Sequence, residues 1–274
     1  MSTLRALVLA LLLAGCAAPQ VAGSPAAVGA APPAAGPTLA AGPVTVIALG
    51  DSLTAGDGDD AGLGFAGRLV EAIAAEPGRE GSTLLNLGQS GWDSTAMVDG
   101  QDSSTPPPLA QGVDAARAAP AGTVLATVLI GSNDLWFTYG GSENPTPSAD
   151  EDAAAATFRA NVERTIREMQ AAGAVVVLGL PDDQSVRPIA VDLDLLHQQL
   201  PDVTAEEVQQ MSAQSKKLGA VVEELADTYD LQSVDTNGPY WSDPATMAED
   251  GIHPNGAGYA EMAKAWVEAV EPLL

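Results

Sequence analysis

Five short apolar runs punctuate the chain, at 44–49, 83–87, 124–130, 175–180 and, more weakly, 231–234. They are rich in Val, Ile and Leu and show little polar alternation, the pattern of strands buried on both faces of a parallel sheet. The stretches between them carry a helical period. Residues 67–75 follow the first run. Residues 153–172 place Phe158, Val162, Ile166 and Met169 on one stripe, and Ser148 and Glu151 upstream have the spacing of a capping box. Over 204–229, Val208, Met211, Ser215, Leu218, Val222, Leu225 and Tyr229 recur at alternating steps of three and four, with Thr204 and Glu207 spaced as a second capping box. This seven-residue rhythm also suits a coiled coil, but the segment is short for one, which favours a core-facing helix. The last helix, 257–270, turns Met262, Trp266 and Val270 inward. Strands alternating with helices predict an α/β fold, a five-stranded parallel sheet covered on both faces. The chain contains no internal repeat.

The first forty residues follow neither period. Arg5 precedes an unbroken apolar run at 6–13. That run is far short of the ~20 residues a transmembrane helix needs, but it suits the hydrophobic core of a secretory signal. It ends in Leu13-Ala14-Gly15-Cys16, which resembles the bacterial lipobox, where the cysteine is lipidated after cleavage just before it. Cys16 is the single cysteine of the chain, so neither an internal disulfide nor a cysteine metal cluster is possible. A plain signal peptide with a chance cysteine is the other reading. Residues 17–42 are nearly all Ala, Pro, Gly and Val without charge, the composition of a tether. The expected organisation is therefore a signal peptide over 1–15, a tether over 16–42 and one domain over 43–274. The expected location is outside the cytoplasm, lipid-anchored to a bacterial membrane. Membrane contact is expected through that anchor alone, and the domain is expected to be a monomer.

Thirty-six acidic residues against eleven Lys and Arg give a net charge of −25 among 274 residues. Such a surface repels phosphate backbones and excludes nucleic acid as an expected partner.

Four segments carry chemistry, and each follows a strand or lies in the last long loop: Gly50-Asp51-Ser52-Leu53, Gly88-Gln89-Ser90-Gly91, Gly131-Ser132-Asn133-Asp134 and Asp250-Gly251-Ile252-His253-Pro254. In an open parallel sheet the loops beyond the strand C-termini converge on one edge, so these distant segments are expected to meet. A serine hydroxyl needs a base to take its proton. The chain offers two histidines. His197 has no carboxylate or glycine turn beside it and reads as a surface residue. His253 lies in a Gly/Pro/Asn-rich loop with Asp250 three residues before it, a spacing that lets the carboxylate fix the imidazole tautomer. The pair alone reads equally well as a structural hydrogen bond. Acyl transfer also needs donors for the developing oxyanion. Candidates are the Ser52 N–H, the Gly88 N–H and the Asn133 amide, although Gly88 alone could simply permit a tight turn.

Together these residues resemble the SGNH (GDSL-type) hydrolase family, with Ser52, Gly88, Asn133 and His253 as the matching positions. The order and spacing fit across residues 44–270. The resemblance implies a flavodoxin-like three-layer α/β/α sandwich and ester hydrolysis without metal or cofactor. It also implies that Asp250 and His253 share one loop. Position 54 is Thr, so the Gly-x-Ser-x-Gly elbow of α/β-hydrolases is absent. The chain departs from the family pattern at Gly64-Phe65-Ala66-Gly67 and at Gln89. The expected activity is a serine esterase acting on acyl lipids or acetylated glycans through an acyl-enzyme on Ser52. The alternatives are an O-acetyltransferase of the same fold and a non-catalytic glycan-binding surface lipoprotein. Six of the eleven aromatic residues, Trp92, Trp136, Phe137, Tyr139, Tyr240 and Trp241, fall in loops around the motifs. They either line a substrate pocket, with Trp92, Trp136, Tyr240 and Trp241 as the candidates, or close the loops over the sheet edge. The insert at 182–203 reads as a lid or as an ordinary connection.

Overall fold

The computed structural model describes residues 37–102, 104–140 and 145–274. Cys16, the expected signal peptide and most of the expected tether lie outside the described residues. In chain order the elements are β1 (Thr45–Gly50), α1 (Ser52–Ala55), α2 (Gly64–Ala75), β2 (Thr83–Gly88), α3 (Ser94–Asp99), α4 (Pro108–Ala118), β3 (Val124–Leu129), α5 (Ser132–Tyr139), α6 (Ser148–Ala171), β4 (Val175–Gly179), α7 (Pro188–Val191), α8 (Leu193–Leu196), α9 (Ala205–Tyr229), β5 (Gln232–Val234) and α10 (Gly256–Val270). All five apolar runs are strands, with no bound moved by more than one residue.

The sheet is parallel throughout and runs β2-β1-β3-β4-β5. Its order reverses at β1, which lies between β2 and β3. That reversal is the switch point at which ligands bind in open α/β sheets, because the flanking loops diverge and leave a crevice at the strand C-termini.

The alternation of side chains along β1 divides the core into two layers. Ile47 and Leu49 join one apolar cluster with Val113, Phe158, Val162, Met211 and Leu218 from α4, α6 and α9. Val46 and Ala48 join the other with Phe65, Leu69, Tyr259, Met262 and Trp266 from α2 and α10. The rings of Phe65 and Trp266 stack with centroids 4.7 Å apart. The α9 stripe faces the core as its period predicts, with Val208, Met211, Leu218, Val222 and Leu225 buried. Its capping box forms: Thr204 accepts from the Glu207 N–H, and the Glu207 carboxylate accepts from the Thr204 N–H at 3.0 Å.

The capping box expected at Ser148–Glu151 does not form. Pro147 takes the N-cap position without a side-chain bond, and Glu151 instead accepts from the Tyr139 hydroxyl at 2.6 Å. The sequence reading also lacks α3, α4 and α5. α3 and α5 are short, and α4 opens in a proline run that masks the stripe of Leu109, Val113 and Ala116 it buries. Leu39 is already part of the core, and its N–H donates to the Leu273 carbonyl at 2.7 Å. Buried Arg79 bonds the carbonyls of Ala40, Gly42 and Leu274, tying both ends of the described chain together. Among the described residues no helix is long and apolar enough to cross a membrane.

Candidate active site

β1 ends at Gly50, and the chain turns directly into the four-residue α1. Asp51 caps that helix: its Oδ1 accepts from the Leu53 N–H at 2.9 Å, which sets Ser52 as the first helical residue. Ser52 is 8% exposed, and its hydroxyl lies 2.9 Å from His253 Nε2. His253 Nδ1 lies 2.6 Å from Asp250 Oδ2. The other Asp250 oxygen accepts the backbone N–H groups of Ile252 at 2.8 Å and His253 at 3.0 Å. Burial alone would raise the pKa of this carboxyl. The bonds from the His253 ring and from the two backbone donors outweigh it and hold Asp250 at about 2. An ionised Asp250 can only accept, so Nδ1 carries the proton and Nε2 is left to accept from the Ser52 hydroxyl.

The loop carrying this pair is clamped at both ends. The Ala248 N–H donates to the His253 carbonyl at 2.9 Å, and Met247 and Pro254 form an antiparallel bridge. Asn255 caps α10 by accepting from Ala257 and Gly258, while its amide donates to the Ala245 and Met247 carbonyls. The tight turn that brings Asp250 back to His253 runs through Gly251 at φ 66°.

Asn133 lies in the first turn of α5, just after the turn from β3. Its amide donates to the Trp92 carbonyl at 2.9 Å, which uses one of two protons. Beside it, Asp134 accepts from the Ser94 N–H at 3.0 Å and hydroxyl at 2.6 Å, joining α5 to the start of α3. Burial outweighs those bonds and pushes Asp134 up to about 6.

A cavity of about 210 Å³ opens over these groups, lined by Ser52, His253, Asn133 and Gly91 together with Asp57, Ser90, Trp136, Arg187, Gln199 and Ile252. Gly88, the expected oxyanion donor, is not in its wall. The Gly88 N–H donates to Asn86 Oδ1 at 2.9 Å. A Cβ on Gly88 would stand 2.3 Å from the Ala55 nitrogen, so this glycine permits close packing of β2 against α1. Gly91, at φ 77°, occupies the cavity wall instead, and its N–H has no intramolecular acceptor among the described residues. In the sequence Gly88 is the nearer glycine because it ends the strand, and the Ser90-Gly91 turn just beyond it is the signal that marks Gly91.

Of the four aromatic candidates, Trp136 lines the cavity. Trp92 is half-buried and contributes its carbonyl. Tyr240 and Trp241 do not reach the cavity. Trp241 is 1% exposed within the core. Its Nε1 donates to the Thr236 carbonyl at 2.9 Å, and the Tyr240 hydroxyl donates to the same oxygen. These two rings close the loop after β5 over the sheet. His197 is exposed, and its ring donates to the Val203 carbonyl at 2.8 Å.

The cavity wall also holds one end of a buried ion pair that the sequence did not announce. Arg187 bonds Asp182 twice, through Nε at 2.9 Å and Nη2 at 2.7 Å. Nη2 also approaches the Ser132 hydroxyl at 3.3 Å, and the guanidinium sits 4.4 Å over the Trp241 ring. Asp51 is fully buried nearby, and its Oδ2 has no partner among the described residues. Burial pushes Asp51 up to about 7 against the Leu53 bond and the Arg187 charge, with Asp182 and Asp134 adding to the rise. The 182–203 insert contributes Arg187, Ile189, Leu196 and Val203 to the buried set, and the Ile189 N–H donates to the Gly251 carbonyl at 3.1 Å. It thus packs against the loop that holds Asp250 and His253. Among the described residues, no group of three or more His, Cys, Asp or Glu side chains is placed to hold a metal ion.

Comparison with known proteins agrees with this geometry. The model of the GDSL-like Lipase/Acylhydrolase family matches residues 48–261. No curated protein matches the chain. Among solved structures, an acetylxylan esterase from Geobacillus stearothermophilus is similar at 19% identity with a TM-score of 0.54, over 84% of this chain and 95% of that one. An α/β hydrolase from the metagenome of Lake Arreo, Spain, is similar at 19% identity with a TM-score of 0.53, over 85% and 98% of the two chains. At such identities the structural likeness speaks for the fold. The family match covers well over half of the chain, and it makes this protein a member of the GDSL-like lipase/acylhydrolase family, a serine-type carboxylic ester hydrolase.

Proposed function

We propose that the chain hydrolyses short acyl esters through an acyl-enzyme on Ser52. The observation that carries this reading is the continuous relay from Asp250 through His253 to Ser52, at 2.6 and 2.9 Å. His253 Nε2 takes the Ser52 proton as the oxygen attacks the ester carbonyl. The tetrahedral oxyanion is held by the Ser52 N–H, the Asn133 amide and the Gly91 N–H, the last replacing Gly88. The intermediate collapses, His253 returns the proton to the departing alcohol, and the acyl group stays on Ser52. A water, deprotonated by the same imidazole, then releases the acid.

A cavity of about 210 Å³ suits an acetyl or similarly short acyl group better than a long chain. The similar structure that hydrolyses acetylxylan supports an acetylated glycan over an acyl lipid. The Leu13-Ala14-Gly15-Cys16 motif supports an extracytoplasmic lipoprotein. A panel of esters varying in acyl length and alcohol tests the reading. Turnover is expected to be highest for acetyl and to fall by butyryl. Preference for octanoyl or longer chains would overturn the short-acyl assignment. Transfer of acetyl to an added sugar in place of release as acetate would make the chain an acetyltransferase.

A further inference from the structure

We propose that Asp57 and Ser90 form the subsite for the alcohol half of the ester and select a polyol without negative charge, such as a sugar ring. This rests on the reading of Ser52 as the nucleophile, because the subsite is defined by its place beside that residue.

Asp57 follows α1 and is fixed through its backbone on both sides. Its N–H donates to the Ser52 carbonyl at 3.0 Å, and its own carbonyl accepts from the Tyr259 hydroxyl at 2.9 Å. The side chain is thereby carried on the same turn as the nucleophile, and it lines the same cavity as Ser52 and His253. Ser90 reaches it from the loop after β2, its hydroxyl donating to Asp57 Oδ2 at 2.6 Å.

The rest of the carboxylate's capacity is unspent among the described residues. An ionised carboxylate has about four acceptor positions, and Ser90 fills one. No Lys, Arg or His side chain forms an ion pair with Asp57 among the described residues. Arg187, the cation in the cavity wall, is already bonded twice to Asp182. A half-buried carboxylate facing a cavity requires donors that carry no negative charge. Adjacent sugar hydroxyls supply two at a spacing a carboxylate can accept, and the Ser90 oxygen can accept a third. The same charge, within a chain of net charge −25, repels a phosphate-bearing alcohol. The apolar part of the wall, Trp136 and Ile252, is left to the acyl group.

The competing role for the Asp57–Ser90 bond is a latch that holds the Gly91 loop. The two roles separate by experiment. Kinetics on a monoacetylated methyl xyloside and on ethyl acetate, whose alcohol bears no further hydroxyl, are compared for wild type, Asp57→Asn and Ser90→Ala. The subsite predicts that Asp57→Asn lowers the xyloside-to-ethyl-acetate ratio of kcat/KM by about tenfold or more. The fall should be carried mainly by KM. A latch predicts that both variants lower kcat on both esters alike and leave the ratio unchanged, which would overturn the proposal. Binding of methyl xyloside to Ser52→Ala, read by saturation-transfer NMR, requires no turnover. It is expected to be present and to weaken in the Ser52→Ala, Asp57→Asn double variant. Binding that persists in a chain without esterase activity would keep the subsite and remove the proposed reaction. Binding that is absent, or indifferent to Asp57, would remove the subsite.

Discussion

His253 Nε2 stands 2.9 Å from the Ser52 hydroxyl across 201 residues of sequence, while the opposite nitrogen of the ring is held by Asp250. The relation between His253 and Asp250 sets the tautomer. Replacing Asp250 with Asn would offer the ring a donor as well as an acceptor and free it to adopt the wrong tautomer. Asp250→Asn is expected to lower kcat on 4-nitrophenyl acetate by roughly 10²–10⁴-fold with the fold intact. A loss below tenfold would show that the backbone clamp alone orients the ring.

The two glycines after β2 are expected to fail differently. Gly88→Ala drives a Cβ to within 2.3 Å of the Ala55 nitrogen and 2.7 Å of the Thr54 carbonyl carbon, so α1 or β2 must move. A large fall in Tm, or insoluble expression, is expected. Gly91→Ala meets nothing within 4 Å but occupies a left-handed backbone, at a cost of about 1–2 kcal/mol. It is expected to fold, to lose a few degrees of Tm and to lose kcat as its N–H shifts. Equal thermal stability of the two variants would contradict this division.

Two tryptophans are likewise distinguished by their surroundings. Trp241→Ala removes a ring from the core and the surface on which Arg187 rests, so it is expected to cost on the order of 3–5 kcal/mol in denaturant unfolding. Trp136→Ala, half-buried at the cavity, is expected to cost less stability and to change how kcat/KM varies with acyl length. An unchanged acyl-length profile would remove Trp136 from the substrate wall.

Asp51 makes a prediction about pH. Its folded pKa is raised to about 7, chiefly by burial. Folding therefore favours its protonated form. The resulting stability is fully present below the ordinary carboxylate pKa and is lost as pH rises through about 7. Asp51→Asn keeps the shape without the charge. Its Tm relative to wild type is expected to improve on going from pH 5 to pH 8, by on the order of 5 °C. A Tm difference constant with pH would mean that Asp51 is ionised throughout.

The legible part of this molecule was what repeats along the chain or must share one loop. Continuous apolar runs, the mark of strands buried on both faces, revealed the sheet, and the stripe of α9 revealed its inward side. The convergence of strand ends brought Ser52, Asn133 and His253 together. Three kinds of feature were not legible. Gly88 and Gly91 are chemically identical in sequence, and only the approach of Ala55 distinguishes a packing glycine from one in the cavity wall. Trp136 and Trp241 both sit near motifs and were expected in loops, but Trp136 lies on α5 at the cavity while Trp241 is folded into the core by the turn after β5, a difference composition does not encode. Arg187 and Asp182 lie five residues apart in an acidic insert. Nothing in that spacing foretells a buried pair whose arginine reaches the cavity wall.

The most direct test of the central claim is the fate of the acyl group on Ser52. Wild type and Ser52→Ala are mixed with 4-nitrophenyl acetate, and peptide mass spectrometry follows an acid quench, with circular dichroism verifying that both are folded. An acetyl adduct confined to the peptide carrying Ser52 is expected in wild type. No such adduct, and turnover lower by about 10⁴-fold or more, is expected in Ser52→Ala. Turnover retained by folded Ser52→Ala, or an adduct on another residue, would contradict an acyl-enzyme on Ser52.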